Sequence, residues 1–369
     1  MSKKKNKENN YQDYLRINDL LNLQNPISEK NGMIAHEEML FIITHQVYEL
    51  WFKQILYELD SILTIFQNDY IVEKEIGVIN SRILRIIEIQ KILLDQITVL
   101  ETMTPLDFLE FRDLLVPASG FQSTQFRLLE IKMGLQSSDR IYFKKQSYKK
   151  DLNYSQKEIL SKAEKKPSLF DGVNNWLNRT PFLDLEGFKF WDSYQKAVSQ
   201  SLQNQKNDFL MDSTLSLQEK KQLEKEHNIL YKNFIAIFDN EKHNVLVKNG
   251  KRRLSYKAMQ ASLLIFLYRD EPVLHLPFKL LTNLIDMEKY LTSWKHLHSQ
   301  MALRMIGRKT GTGGSPGYSY LKATVENKKI FSDFMNLTTY FLPRSKLPEL
   351  PRNFQKNLGF YYARLDDNK

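Results

Sequence analysis

The sequence predicts an all-α fold, and two observations carry that prediction. Only 13 glycines and 11 prolines occur among 369 residues, about 6.5% of the chain together, where globular proteins average about 12%. Folds that need many tight turns, such as β-sandwiches, are therefore disfavoured. In addition, the segments from Pro26 to Pro105 and from Pro181 to Pro272 contain no internal proline and place apolar residues at helical spacing.

The N-terminal third divides into helices separated by recognisable breaks. Thr104 followed by Pro105 has the form of a helix start, because proline is favoured at the first helical position. Pro117 to Gly120 interrupts the pattern, and Gly134 ends the helix after it. The other predicted helices of this region span residues 11–24, 36–67, 73–103 and 121–133. The second of these is apolar almost all round, which is typical of a buried helix.

The rest of the chain predicts a polar excursion followed by more helices. Residues 135–185 are polar and are expected to be rich in loops, and Leu223, Leu230 and Ile237 recur at seven residues as in a helical hairpin. We expect one all-α domain over residues 11–369, a more polar helical excursion at about 135–240, and a disordered basic arm over residues 1–10. The remaining predicted helices cover residues 255–270, 276–290, 290–306 and 319–342.

Composition and charge exclude several classes of protein. The chain has no cysteine, which excludes a disulfide scaffold, a zinc–thiolate site, an iron–sulfur cluster and a thiol nucleophile. The formal net charge of +10 arises from charges mixed along the chain, which predicts a solvated surface rather than a nucleic-acid site. No apolar run approaches the ~20 residues that span a bilayer, and no secretory signal is evident. A cytoplasmic protein without membrane or nucleic-acid partners is therefore expected.

Two of the seven histidines are candidates for chemistry. His45 lies in the most apolar helix, on one face with Phe41 and Glu49, where it is either functional or a core histidine bonded to a neighbour. His298 shares a helical face with Trp294, Met301 and Met305. That face would suit a haem ligand with large apolar neighbours, and it would equally suit a core stripe.

Other candidate sites are weaker or less specific. A di-iron carboxylate bundle needs two Glu-x-x-His elements, and only Glu224 to His227 fits. Arg112, one turn after Phe108, could clamp a carboxylate or form a structural ion pair. Five of the 13 glycines lie between residues 307 and 317. That segment lacks a phosphate-loop ending, so a mobile substrate loop is the favoured interpretation.

The sequence at these residues resembles the tryptophan 2,3-dioxygenase family, from about Tyr11 to about Pro343. Several long motifs occur in the order of the family. They are HEEMLFIITHQVYELWFKQILYELD from His36, FRDLLVPASGFQSTQFRLLEIKMG from Phe111, RRLSYKAMQASLL from Arg252, YRDEPVLHLPFKLL from Tyr268 and RMIGRKTGTGGSPGYSYL from Arg304.

The resemblance implies a haem enzyme that inserts both atoms of O₂ across the indole C2–C3 bond of L-tryptophan and forms N-formyl-L-kynurenine. It implies one haem b per subunit, with His298 as the iron ligand and Trp294 and Met301 beside the cofactor. Ser119 and Gly120 match the turn over the distal haem face. A non-catalytic haem or indole sensor on the same scaffold is the alternative.

The resemblance also implies a substrate site. His45 matches the histidine that hydrogen-bonds the indole N–H, and Arg112 matches the clamp on the substrate carboxylate. Phe41 and Phe108 match positions that line the substrate pocket, and Thr312 matches a residue that contacts the amino-acid part of the substrate. Tyr11, Tyr14 and Leu15 match the segment that closes the pocket of a neighbouring subunit in a homotetramer.

Three positions depart from the family pattern. Glu37 stands where aspartate is frequent, which is a mild change. Pro316 replaces a serine in the glycine-rich loop, removes one backbone donor and restricts φ, so it could affect loop closure. His296 makes a second histidine available two residues from His298, but it points to another side of the helix.

Overall fold

The fold is described by a computed structural model that covers residues 10–140, 148–149, 152–185, 188–314, 317–326 and 329–351. Residues 1–9 of the predicted arm over residues 1–10 lie outside the described residues, as does Pro316. Within the described residues, no helix is long and apolar enough to cross a membrane. The helices are α1 (Tyr11–Leu15), α2 (Ile17–Leu21), α3 (Ile27–Lys30), α4 (Glu37–Phe66), α5 (Glu73–Leu100), α6 (Pro105–Arg112), α7 (Thr124–Met133), α8 (Tyr154–Glu164), α9 (Leu169–Asn178), α10 (Phe190–Met211), α11 (Leu217–Ala236), α12 (Asn240–Lys248), α13 (Tyr256–Leu267), α14 (Pro272–Ile306), α15 (Tyr318–Glu326) and α16 (Ser332–Asn336).

The three longest helices of the centre, α4, α5 and α14, pack side by side and form the framework of the core. On α5 the buried residues Ile76, Ile79, Ile83 and Ile86 recur at intervals of three or four, so one stripe of the helix is apolar. Leu280, Leu281 and Leu284 of α14 are likewise buried. The all-α fold predicted from the sequence is confirmed, and the described strands β1 (Asp184–Leu185) and β2 (Phe188–Lys189) form only a two-residue antiparallel pair.

Local signals set the ends of the helices that border the site. α6 begins with a capping box in which the Thr104 hydroxyl accepts from the Asp107 N–H and the Asp107 carboxylate accepts from the Thr104 N–H. α7 begins where the Ser123 hydroxyl accepts from the Phe126 N–H, 3.2 Å away. It ends at Gly134, whose φ of +122° is a conformation that other residues rarely adopt.

The N-terminal segment is tied to the framework by one buried carboxylate. Glu38 of α4 is 1% exposed and accepts from the backbone N–H groups of Ile27 at 2.7 Å and Ser28 at 2.9 Å. The predicted helix over residues 11–24 is broken into α1 and α2, because Arg16 adopts a left-handed φ of 53°. The sequence contains no glycine or proline there that would have signalled the break.

Two predicted helix boundaries in the C-terminal half of the chain are wrong. The helices predicted over residues 276–290 and 290–306 form the single helix α14, which begins at Pro272. Pro277 removes one backbone hydrogen bond near the start of this helix, and the buried leucines after it pack on α5, so the helix continues. The helix predicted over residues 319–342 divides into α15, α16 and a short 3-10 turn.

The segment over residues 135–185, which was expected to be rich in loops, includes the helices α8 and α9.

The predicted helical hairpin is confirmed as α10 and α11, which pack against each other. Lys206 of α10 lies 3.0 Å from Glu224 of α11, and a ring nitrogen of His227 lies 2.9 Å from the Leu202 carbonyl oxygen. These two contacts hold the arms together where the surface is polar.

Two helix glycines provide a matched test of core packing. A Cβ at Gly172 of α9 would lie 2.8 Å from the Phe66 Cβ, whereas a Cβ at Gly77 of α5 would meet only Leu276 Cδ1, at 4.0 Å. Gly172→Ala should therefore lower the free energy of unfolding by about 1–3 kcal/mol. Gly77→Ala should leave it unchanged or raise it by up to about 1 kcal/mol, because alanine favours helix. Urea unfolding measures both values, and equal stability of the two variants would contradict this packing.

Candidate active site

A cleft with a volume of about 220 Å³ opens between α4, α5, α7, α14 and α15. It is mainly apolar and aromatic, with the polar side chains gathered on a few positions of α4, α7 and α14. His45 and His298 both line it, so the fold brings together the two histidines that the sequence singled out. The cleft is also lined by Tyr48, Phe52, Gly120, Phe121, Phe126, Arg127, Glu130, Trp294, Lys295, Met301 and Tyr320.

His298 is held in the cleft as a neutral imidazole. Its ring stacks on Trp294 of the preceding turn, with the centroids 5.2 Å apart and the planes 2° from parallel. Burial lowers the pKa of His298 to about 4, and the nearby His45 acts in the same direction. Within the described part of the chain, the ring forms no hydrogen bond, so a nitrogen lone pair remains available. A neutral imidazole with a free lone pair is the form that ligates a transition metal.

The tautomer of His45 follows from its hydrogen bond. Nδ1 lies 2.7 Å from the Phe41 carbonyl oxygen, which can only accept, so Nδ1 carries the proton. The lone pair is therefore on Nε2. Burial lowers the pKa of His45, although the bond to Phe41 and the charge of Glu49 oppose that effect. At neutral pH His45 is thus an uncharged acceptor with a fixed orientation.

An aromatic wall continues from His45 towards α6. The Phe41 ring lies over the His45 ring with a centroid distance of 4.1 Å. Phe108 lies 5.7 Å from Phe41, and Phe111 lies 5.6 Å from Phe41 and 5.4 Å from Phe108. These offset and edge contacts are the favourable arrangements of aromatic rings. A flat apolar ligand beside His45 would meet this wall.

Arg112 follows the wall at the end of α6 and is covered by the glycine-rich loop. Its side chain is 15% exposed, and Nη1 lies 3.3 Å from Asp113 Oδ1. Nη2 donates to the backbone carbonyl of Thr310. A carbonyl oxygen offers only partial charge to a guanidinium, and a carboxylate would be a stronger partner. Arg112 therefore has an exchangeable partner in the loop.

The same loop rests on the turn before α7. Thr312 Oγ1 donates to the Ala118 carbonyl at 2.7 Å. A Cβ at Gly313 would lie 2.6 Å from the Ser119 Cβ, so only glycine permits this approach. Ser119 and Gly120 form the turn itself, and Gly120 lines the cleft. Arg112, Thr312, Ser119 and Gly120 are thereby gathered at one end of the site.

A buried charge cluster at the side of the cleft was missed by the sequence analysis. The Glu130 carboxylate lies 2.6 Å from Arg140, 2.7 Å from Lys295 and 3.3 Å from Arg127. Burial alone would raise the pKa of Glu130, but the three cations hold it well below its ordinary range. Three cations against one carboxylate leave net positive charge beside the cleft. The spacing of Arg127 and Glu130 on α7 was the only sequence signal, because Lys295 is remote in the chain.

Some predicted site residues do not reach the cleft of the same chain. Tyr11, Tyr14 and Leu15 are 73%, 74% and 44% exposed. His296 points to solvent. For the di-iron alternative, no group of three metal-ligating side chains occurs within the described residues, and the His227 ring bonds a backbone carbonyl instead.

Comparison with known proteins identifies the family of this chain. The sequence profile of tryptophan 2,3-dioxygenase matches residues 2–341. The tryptophan 2,3-dioxygenase of Bdellovibrio bacteriovorus is 48% identical over 95% of this chain and 98% of its own length. Those of Dictyostelium discoideum and Rattus norvegicus are 46% and 42% identical, over 96% and 97% of this chain and 88% of their own lengths. The chain belongs to the tryptophan 2,3-dioxygenase family.

Proposed function

We propose that the chain inserts both atoms of O₂ across the C2–C3 bond of the L-tryptophan indole and releases N-formyl-L-kynurenine. The observation that carries this proposal is the pair of neutral histidines, His45 and His298, that line one cleft. Family membership over nearly the whole chain supports the same reaction. Both oxygen atoms enter the product, so the reaction needs no external reductant.

The residues of the cleft fit haem b. His298 has a free lone pair for the iron, and the parallel stack on Trp294 fixes the direction of its ring. Met301 and Phe126 offer apolar surface to a macrocycle. Arg127 and Lys295 bring positive charge suited to propionates. When bound, haem supplies the binding and activation of O₂, which no amino-acid side chain can provide.

Arg112 orients the amino-acid part of the substrate in this proposal. The substrate carboxylate replaces the Thr310 carbonyl as the partner of the guanidinium, because a full charge binds it more strongly. Thr312 and the turn at Ser119 lie at the same end, where the ammonium group would be contacted. Phe41 and Phe108 flank the indole. Fixing the substrate at two ends holds the reacting carbons in one position.

His45 accepts the indole N–H through Nε2. Its Nδ1–H is already donated to Phe41, so the acceptor nitrogen faces away from the backbone. The lowered pKa makes His45 a weak base, so it holds the proton of the indole in a hydrogen bond and is not required to remove it.

We further propose a homotetramer in the cytoplasm, in which α1 closes the pocket of a neighbouring subunit. Exposed Tyr11, Tyr14 and Leu15 on one short helix are costly for an isolated chain and suit an interface. Ile43 and Leu50 on α4 are also exposed apolar side chains.

The iron ligand is tested by comparing two neighbouring histidines. His298→Ala should abolish the Soret band of the purified protein, because the iron loses its protein ligand. His296→Ala should retain full haem, since that ring is exposed. Absorption spectra after reconstitution with haem measure both. Haem loss from His296→Ala alone would contradict the assignment. Tryptophan binding by the ferrous wild type without product under O₂ would favour the sensor alternative.

The carboxylate clamp is tested with Arg112→Leu. Loss of a charge-assisted contact of about 1.5–3 kcal/mol should lower kcat/KM about 10- to 100-fold, mainly through KM. Arg304→Leu is the matched control, because Arg304 is 57% exposed and lies 3.9 Å from its partner Glu101. Rates of N-formylkynurenine formation measure the effect, and equal kinetics in the two variants would show that Arg112 is structural.

The role of α1 is tested with the double variant Tyr11→Ala, Tyr14→Ala. Light scattering of the wild type should give four times the chain mass of 43.7 kDa. The double variant should keep its haem but raise KM, because a neighbouring pocket stays open. Tyr154→Ala is the control, since Tyr154 is 84% exposed on α8. A monomeric wild type, or an unchanged KM in the double variant, would refute the proposal.

A further inference from the structure

A second cavity lies between α12, α13 and the segment around α16, and it shares no lining residue with the cleft of the two histidines. Its volume is about 250 Å³. The proposed reaction uses none of its residues. The polar side chains that line it are His243, Lys251, Arg252, Asp333, Asn336, Thr339 and Tyr340.

The lining of this cavity includes two cations, Lys251 and Arg252. Within the described residues, neither Lys251 nor Arg252 has a carboxylate at ion-pair distance. The Arg252 guanidinium donates to the Tyr340 hydroxyl at 2.9 Å and contacts the Met259 sulfur at 3.1 Å. A thioether is a weak acceptor, and neither partner carries a negative charge. Lys251 and Arg252 are therefore suited to bind an anion, and the Arg252 guanidinium can bind a carboxylate with two parallel hydrogen bonds.

The lining of the cavity also includes acceptors. His243 is 1% exposed, and its Nε2 lies 2.8 Å from the Leu254 carbonyl, so Nε2 carries the proton. Nδ1 has no hydrogen-bond partner although it is buried. Burial lowers the pKa of His243, so its lone pair stays free at neutral pH. An unpartnered buried acceptor of this kind is costly unless a ligand or water satisfies it.

Asp333 is a second hydrogen-bond acceptor in the lining of the cavity. One of its oxygens, Oδ2, accepts from the backbone N–H groups of Arg253 at 2.6 Å and Leu254 at 2.8 Å. Both of these bonds end on the same oxygen, so Oδ1 remains available. Asp333 is also close enough to His243 to act on its pKa. A negative charge, a neutral acceptor and two cations thus line one cavity.

We propose that this cavity binds a free α-amino acid as its zwitterion. Arg252 and Lys251 bind the carboxylate, and Asp333 Oδ1 and His243 Nδ1 accept from the ammonium group. A lining that carries both signs of charge matches an amino acid zwitterion better than it matches a simple anion. The apolar lining is limited to Leu254, Met259 and Leu337, so a small or polar side chain fits best.

Equilibrium dialysis of the haem-loaded protein against radiolabelled glycine tests the proposal. Glycine should bind saturably, and unlabelled L-serine should displace it. Acetate and methylammonium at the same concentration should not, because each carries only half of the charge pair. Lys251→Met should weaken glycine binding at least tenfold, and Lys251 is exposed, so folding is not at risk. Asp333→Asn should weaken it similarly while an amide oxygen still accepts the two backbone bonds.

Two controls separate this cavity from the tryptophan site. Lys257→Met alters an exposed lysine of α13 outside the cavity and should leave glycine binding unchanged. Arg112→Leu should also leave it unchanged, because that residue belongs to the other site. Absence of glycine binding, or displacement by acetate as effective as by L-serine, would overturn the proposal. So would glycine binding that Arg112→Leu abolishes and Lys251→Met preserves.

Discussion

The geometry of the cleft depends on the Trp294 ring. It lies 5.8 Å from Tyr48 and 6.0 Å from Phe52 of α4, and 5.1 Å from Phe126 of α7, in tilted and edge contacts. On its own helix it stacks flat on His298. One buried side chain thus joins α14 to α4 and α7 and orients the proposed iron ligand at the same time. Because cores are close-packed, a change at this ring would move all three helices and the histidine together.

Burial and nearby charges set the protonation states of different residues in the same cleft. Apolar burial keeps His45 and His298 neutral, which leaves a lone pair on each ring. Glu130 lines the same cleft and stays ionised because three cations surround it. Two of these cations, Arg127 and Lys295, also line the cleft. Neutral nitrogen donors and net positive charge therefore occur side by side. That combination suits a flat apolar macrocycle with anionic substituents.

The pattern of residues predicted most of the helices, because helices depend on local chemistry, whereas the roles proposed for the site residues come from the family resemblance. The 3.6-residue spacing of apolar positions located α4 and α5, and Thr104 with Pro105 located the start of α6. The same reasoning failed at Arg16 and at the start of α14. In the first case a non-glycine residue adopts a positive φ, and in the second packing on α5 outweighs the lost hydrogen bond of Pro277.

The amino-acid sequence thus determined the fold class, the family and the identity of the residues that line the proposed tryptophan site. The tertiary structure decided the proton position on His45, the neutral state of His298, the contact of Arg112 with Thr310 and the charge cluster around Glu130. It also decided that His243, Lys251, Arg252 and Asp333 line one cavity. Hydrogen-bond partners and exclusion of water come from segments far apart in the chain, and no local spacing encodes which of them meet.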